Sequence, residues 1–227
     1  MRAPRLALAL LTAAACAGCD GPGRDGVPAT ARAFAYVAAE YVGVPEYATS
    51  DTLPFYVQFK GHYVETVLRT KIGNPDKDPA RGGKYYPGDA VHVLAGTTFE
   101  GQDPTTCDDE EPYPYCEPLD GGGAMTWTLE DPEEDPGYVK VAVRKGEVTV
   151  VVVFSGPHIT RDPRTMELPV TVDQLVDIAR DDRIDLTTTQ AAVDAGAALD
   201  YWEETAPRSS HRSSRRLRRR WPPGGAP

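Results

Sequence analysis

The sequence predicts an α+β fold, an antiparallel sheet with helices packed on one side of it, and three observations predict it. Tyr138 to Arg144 and Glu147 to Phe154 read as two strands joined by Lys145 and Gly146, a hairpin in which glycine supplies the positive φ of a tight turn. The second strand, "VTVVVVF", is almost continuously apolar, as a central strand covered on both faces is. Beyond it the pattern changes to helical periodicity, and strands followed by helices belong to the α+β class. An all-β sandwich is the alternative, because "PGDAVHV" is also common in such domains.

Residues 29–205 read as a single domain, long enough for a sizeable core and without an internal repeat. Phe34, Val37, Ala38 and Tyr41 fall at i, i+3, i+4 and i+7, and Gly43 and Pro45 follow, which predicts a short amphipathic helix with a defined end. From Phe55 to Arg69 aromatic and branched residues favour strand, interrupted at Gly61. "YYPGDAVHVLAG" reads as a turn at Pro87 and Gly88 feeding a strand from Ala90 to Leu94. "AMTWTLE" is a further strand with Met125, Trp127 and Leu129 on one face, and Val139, Val141 and Val143 alternate as a half-buried strand does. Thr171 with Gln174 has capping-box spacing ahead of Leu175, Val176, Ile178 and Ala179, and Thr187 with Gln190 repeats that spacing before "QAAVDAGAALDYW".

Ahead of the domain, Arg2 and Arg5 precede an apolar run from Leu6 to about Cys16, followed by small residues and a cysteine. This is the order of a secretory signal, and the run falls short of the roughly 20 residues a membrane-spanning helix needs. "CAGC", Cys16 to Cys19, resembles a bacterial lipobox, which implies a signal peptide over residues 1–18 and a diacylglycerol on Cys19. It departs from that pattern at Cys16, where an aliphatic residue is usual. An ordinary signal cut near Ala15 is the alternative. Residues 19–28, rich in Gly and Pro, read as a flexible tether.

Once the signal is removed, Cys107 and Cys116 are the remaining pair, set in "CDDEEPYPYC", and outside the cytoplasm such neighbours are expected to form a disulfide. Zinc is not expected, because no C-x-x-C or H-x-x-x-H accompanies them. Of the 24 Lys and Arg, two lie in the signal and seven between Arg208 and Arg220, leaving 15 against all 34 acids in residues 20–207, a formal net charge of -19. Nucleic acid is not an expected partner of so acidic a domain. Residues 206–227 form an Arg-rich tail with no acid and almost no aliphatic residue, expected to be disordered. It reads either as a contact for anionic headgroups or as the product of a GC-rich reading frame with no task.

Catalytic chemistry is not obvious. His62 and His92 sit in predicted strands; His158 follows "FSGP", three residues from Ser155, so a serine nucleophile with a histidine base is the rival, hydrolase-like reading. The G-x-S-x-G elbow is missing. Asn74, Asp76 and Asp78 alternate like the start of a calcium loop, but Pro79 and Tyr85 stand where glycine and a bidentate acid are needed. Asp108 to Glu111, and Glu130, Asp131, Glu133, Glu134 and Asp135, read as solvated acidic faces. No catalytic, cofactor or metal site is assigned.

"VTVVVVFSGPHITRDPRTMELPVTVDQLVDIARDDRIDLTTTQ" resembles uncharacterised exported lipoproteins of high-GC Gram-positive bacteria, through the valine strand ending in "SG", then "DPR", "LPVTVDQLVDIA" and "DDRIDL". The resemblance covers about the last third of the domain and implies location, not activity. The expectation is a lipoprotein on the extracytoplasmic face of the cell membrane, a binding or sensing module whose partners are the membrane, through its lipid, and a cell-envelope protein or ligand.

Overall fold

A computed structural model describes residues 26–50, 58–71, 88–107, 115–131 and 136–204. In chain order the elements are β1 (Val27–Pro28), α1 (Ala31–Val42), β2 (Tyr47–Thr49), β3 (Gln58–Arg69), β4 (Ala90–Glu100), β5 (Tyr115–Pro118), β6 (Ala124–Thr128), β7 (Tyr138–Lys145), β8 (Val148–Ser155), a 3-10 turn (Pro163–Thr165), α2 (Val172–Arg180), β9 (Thr187–Thr188) and α3 (Gln190–Ala197). The fold is α+β: among the described residues seven strands form an antiparallel sheet in the order β2-β3-β4-β8-β7-β6-β5.

Its centre is the valine strand. β8 is fourth of the seven, and Val148 to Phe154 are buried along their whole length. Val150, Val152 and Phe154 face the main core with Val91, Val93, Val139 and Val141, and onto that face pack Phe34 and Val37 of α1 and Leu175 and Ile178 of α2. Burying each such side chain stabilises by about 1.5–3 kcal/mol. Val151 and Val153 face the other way, into a smaller cluster with Leu94 and Ala142. Helices on one side and a second buried face account for the absence of alternation that the sequence shows in this strand.

The local signals act as their chemistry requires. Thr30 Oγ1 accepts the Ala33 N–H at the start of α1, and Gly43, at φ 84, ends it with its N–H on Ala39 O. Gly146, at φ 59, turns β7 into β8. The expected interruption at Gly61 is an irregularity in the β3–β4 register between Lys60 and Tyr63. The capping box at α2 is complete, with Thr171 Oγ1 accepting the Gln174 N–H and Gln174 Oε1 accepting the Thr171 N–H.

One boundary differs. Thr187 does not cap α3: Thr187 and Thr188 form β9, paired with Pro28 and Val27, and Thr189 Oγ1 accepts the Ala192 N–H. Long-range pairing with the N-terminal segment takes the first two of three consecutive threonines and leaves the third to cap. Residues 27–28, the end of the expected tether, are paired to the fold here, and the Ala29 N–H donates to Leu186 O at 3.0 Å.

Candidate functional site

Tyr115 and Cys116, the end of the cysteine-bounded segment, open β5, which among the described residues is the edge of the sheet and where Tyr115 pairs with Trp127 and Glu117 with Met125. Tyr115 stacks on Trp127 with ring centroids 5.3 Å apart. Cys116 of this strand is bonded to Cys107 in the segment after β4. An edge strand of four residues is thus held by a cross-strand ring pair on one face and a covalent tie on the other.

Glu117 and Met125 project to the helical face of the sheet, and between them and α2 lies a cleft of about 190 Å³. Leu119, Met125, Val172 and Val176 give it apolar walls, and Glu117, Asp173, Arg164 and Arg180 stand around them. Asp162 starts the 3-10 turn by accepting the Arg164 N–H at 3.0 Å, which brings the Arg164 side chain back to the sheet edge. Its guanidinium meets Asp162 Oδ2 at 2.6 Å and Glu117 Oε2 at 2.5 Å. The hydrogen bond from Arg164 is the chief cause holding the Asp162 carboxyl below its usual range, and the same bonds push the guanidinium further up. On the far side Arg180 donates to Asp120 O, closing the β5–β6 turn against the last residue of α2.

The histidines and Ser155 are arranged differently from the expected pair. Ser155 Oγ lies 3.4 Å from His92 Nε2, on the face of the sheet away from the helices. His158 Nδ1 instead engages Glu130 Oε2, beside the bond from the Glu130 N–H to Ile159 O at 2.7 Å. Burial drives the His92 pKa down to about 3, with the Arg69 charge adding to it, and the ring is 1% exposed. So weak and enclosed a base takes no proton from a serine near neutral pH. Lys140, two residues along β7 from the Ser155 partner Tyr138, is likewise pushed down by burial.

Cys19, the expected tether up to residue 25, Thr205 and the expected tail over 206–227 lie outside the described residues, as do the calcium-like positions Asn74, Asp76 and Asp78 and the acids 108–111 and 133–135. Among the described residues no three His, Cys, Asp or Glu side chains gather closely enough to hold a metal ion, and no helix is long and apolar enough to cross a membrane. Comparisons with protein families, curated proteins and solved structures find no match to this chain.

Proposed function

We propose that this chain is a lipoprotein tethered through Cys19 to the extracytoplasmic face of the cell membrane, where it serves as a non-catalytic binding or sensing module, and that the cleft between β5 and α2 is its recognition surface. The observation that carries the reading is the cleft itself, a small hollow of mixed apolar and charged lining at a cross-linked sheet edge. Ligand pockets for cofactors and drug-sized molecules run about 300–1,000 Å³, so a hollow of about 190 Å³ suits one or two side chains of a partner protein. Arg164, already held by two carboxylates, is oriented rather than free, as a specificity element is.

A photo-crosslinking side chain placed at Val176, in cells making the full chain, tests the cleft. The same group at Val44, which is 82% exposed and lies elsewhere on the surface, is the control. A discrete envelope-protein adduct from position 176 and none from 44, lost when Met125→Trp fills the hollow, is the expected result. Equal labelling from both positions overturns the assignment of the cleft. The anchor is tested separately, by the intact mass of protein extracted from native membranes: a diacylglycerol on an N-terminal Cys19 is expected, and soluble protein cut near Ala15 overturns it.

A further inference from the structure

On the face of the sheet turned away from the helices, two neighbouring polar side chains lack the partners their chemistry asks for. Val139 and Val141 face the helical core, so Lys140 between them faces the other way, with Thr126 of β6 and Val153 of β8 directly opposite it. Thr126 is 7% exposed, and its Oγ1 is buried with no hydrogen-bond partner. Buried hydroxyls are as a rule hydrogen-bonded, so an orphan marks a missing partner. Lys140 is half-buried, and burial alone pushes its amine down, with no neighbouring carboxylate to hold it up. Lysines withdrawn from water are ordinarily paired. Carboxylates are not scarce, since residues 20–207 contain all 34 acids of the chain. Yet the described positions around Lys140 on this face of β6, β7 and β8 are Ala124, Thr128, Tyr138, Ala142, Val151 and Ser155. Glu65 shares the face but stands on β3, three strands away.

We propose that Lys140 and Thr126 form a binding site for a short aliphatic carboxylate. One carboxylate oxygen takes a proton donor of the Lys140 ammonium and the other accepts the Thr126 hydroxyl. The two donors come from a directly opposed pair on adjacent strands, whose Cβ atoms stand about 4.5–5.5 Å apart, so one carboxylate bridges them. The ligand thereby supplies the counter-charge that the lysine lacks and the acceptor that the hydroxyl lacks, through charge-assisted hydrogen bonds. A phosphate or sulfate would press further charged oxygens against Ala142 and Val153, which are fully buried, and such oxygens are costly without donors. A hydrocarbon chain suits these residues, which form an apolar cluster with Leu94 and Val151. The enclosure of Thr126 favours a small free molecule over a segment of a partner protein, whose backbone N–H and C=O groups would go unpaired beside that cluster. This face is opposite the one that carries the cleft, and the site depends on neither the cleft nor the anchor.

The test titrates the full chain, labelled with carbon-13 at the lysine side chains, with butyrate at constant ionic strength, and repeats it with butyramide as the uncharged isostere. A saturable shift of the Lys140 side-chain signal is expected with butyrate and not with butyramide, while Lys60, whose side chain is 59% exposed, serves as the control for general charge effects. Thr126→Val keeps the shape of the side chain and removes only the hydroxyl. It is expected to weaken butyrate binding by about tenfold, the worth of one hydrogen bond to a charged group. Lys140→Met keeps the apolar stem and is expected to abolish binding, followed at the backbone amide signals of Ala124 and Val153. A Lys140 signal that moves no more than that of Lys60 overturns the proposal, as does a Lys140 signal unmoved by butyrate because a carboxylate of the chain itself already holds the amine. Unchanged affinity in Thr126→Val, in a variant that folds as the natural chain does, overturns the bridging geometry and with it the site as described.

Discussion

At the scale of single residues, the chemistry that the sequence suggested and the chemistry that the fold builds part company at Ser155. Its neighbour in sequence, His158, is bound to Glu130; its neighbour in space, His92, comes from a strand 63 residues earlier and is sealed in. No local spacing reports that contact, because it depends on which strands pair. His92 also has a consequence for stability. Its folded pKa of about 3 lies below the value of 6.5 that it has when exposed, so between those values the unfolded chain binds the extra proton and stability falls as pH falls. The contribution is about 1.4 kcal/mol for each pH unit. In chemical denaturation from about pH 6 to pH 4, His92→Gln is expected to lose stability less steeply than the natural chain by about that slope, whatever its starting stability. Parallel slopes would show that His92 charges freely in the fold.

Among the elements, those with a strong internal period were legible: α1 from Phe34, Val37, Ala38 and Tyr41, β7 from alternating valines, β8 from its continuous apolar run, and the start of α2 from Thr171 and Gln174. What failed was whatever a distant partner decides. Thr187 matched a cap locally and became a strand through Val27 and Pro28, and Tyr115–Pro118 carried too many turn residues nearby to read as the sheet edge. The cleft was illegible for the same reason, because Glu117, Arg164 and Val176 meet only after β5 has joined β6 and α2 has packed on the sheet. The disulfide has its place at this scale. It closes a loop whose ends are nine residues apart, and such a closure stabilises by roughly 2–3 kcal/mol through the unfolded chain. The double variant Cys107→Ser and Cys116→Ser is expected to unfold at lower denaturant by that amount. Amide exchange is expected to quicken in β5 and β6 but not in β8, and uniform quickening would mean that the bond supports the whole sheet rather than its edge.

For the whole molecule, the last described residues, up to Glu204, are tied to the sheet and to α1 by what they bind. Beyond β2 the sheet continues through Tyr201 to Glu203: Tyr201 O accepts the Ala48 N–H at 2.9 Å, and Ala48 O accepts the Glu203 N–H at 2.8 Å. Tyr201 and Trp202 pack against the main core, and Arg32 lies over the indole. Two hydrogen bonds at about 1 kcal/mol each, with the burial of two aromatic side chains, put the worth of this short segment at about 3–5 kcal/mol. Residues 208–227 offer a core no apolar period, and ordering them costs about 1–2 kcal/mol of backbone entropy per residue. A chain ending at Pro207 is therefore expected to unfold thermally within a degree or two of the full chain at physiological salt. A chain ending at Asp200 is expected to unfold about 10 °C lower or more. The comparison is made at low and at physiological salt, because a tail lying on the domain's acids stabilises only at low salt. A large drop on cutting at Pro207 that persists at physiological salt would make the tail part of the fold and unavailable to the membrane.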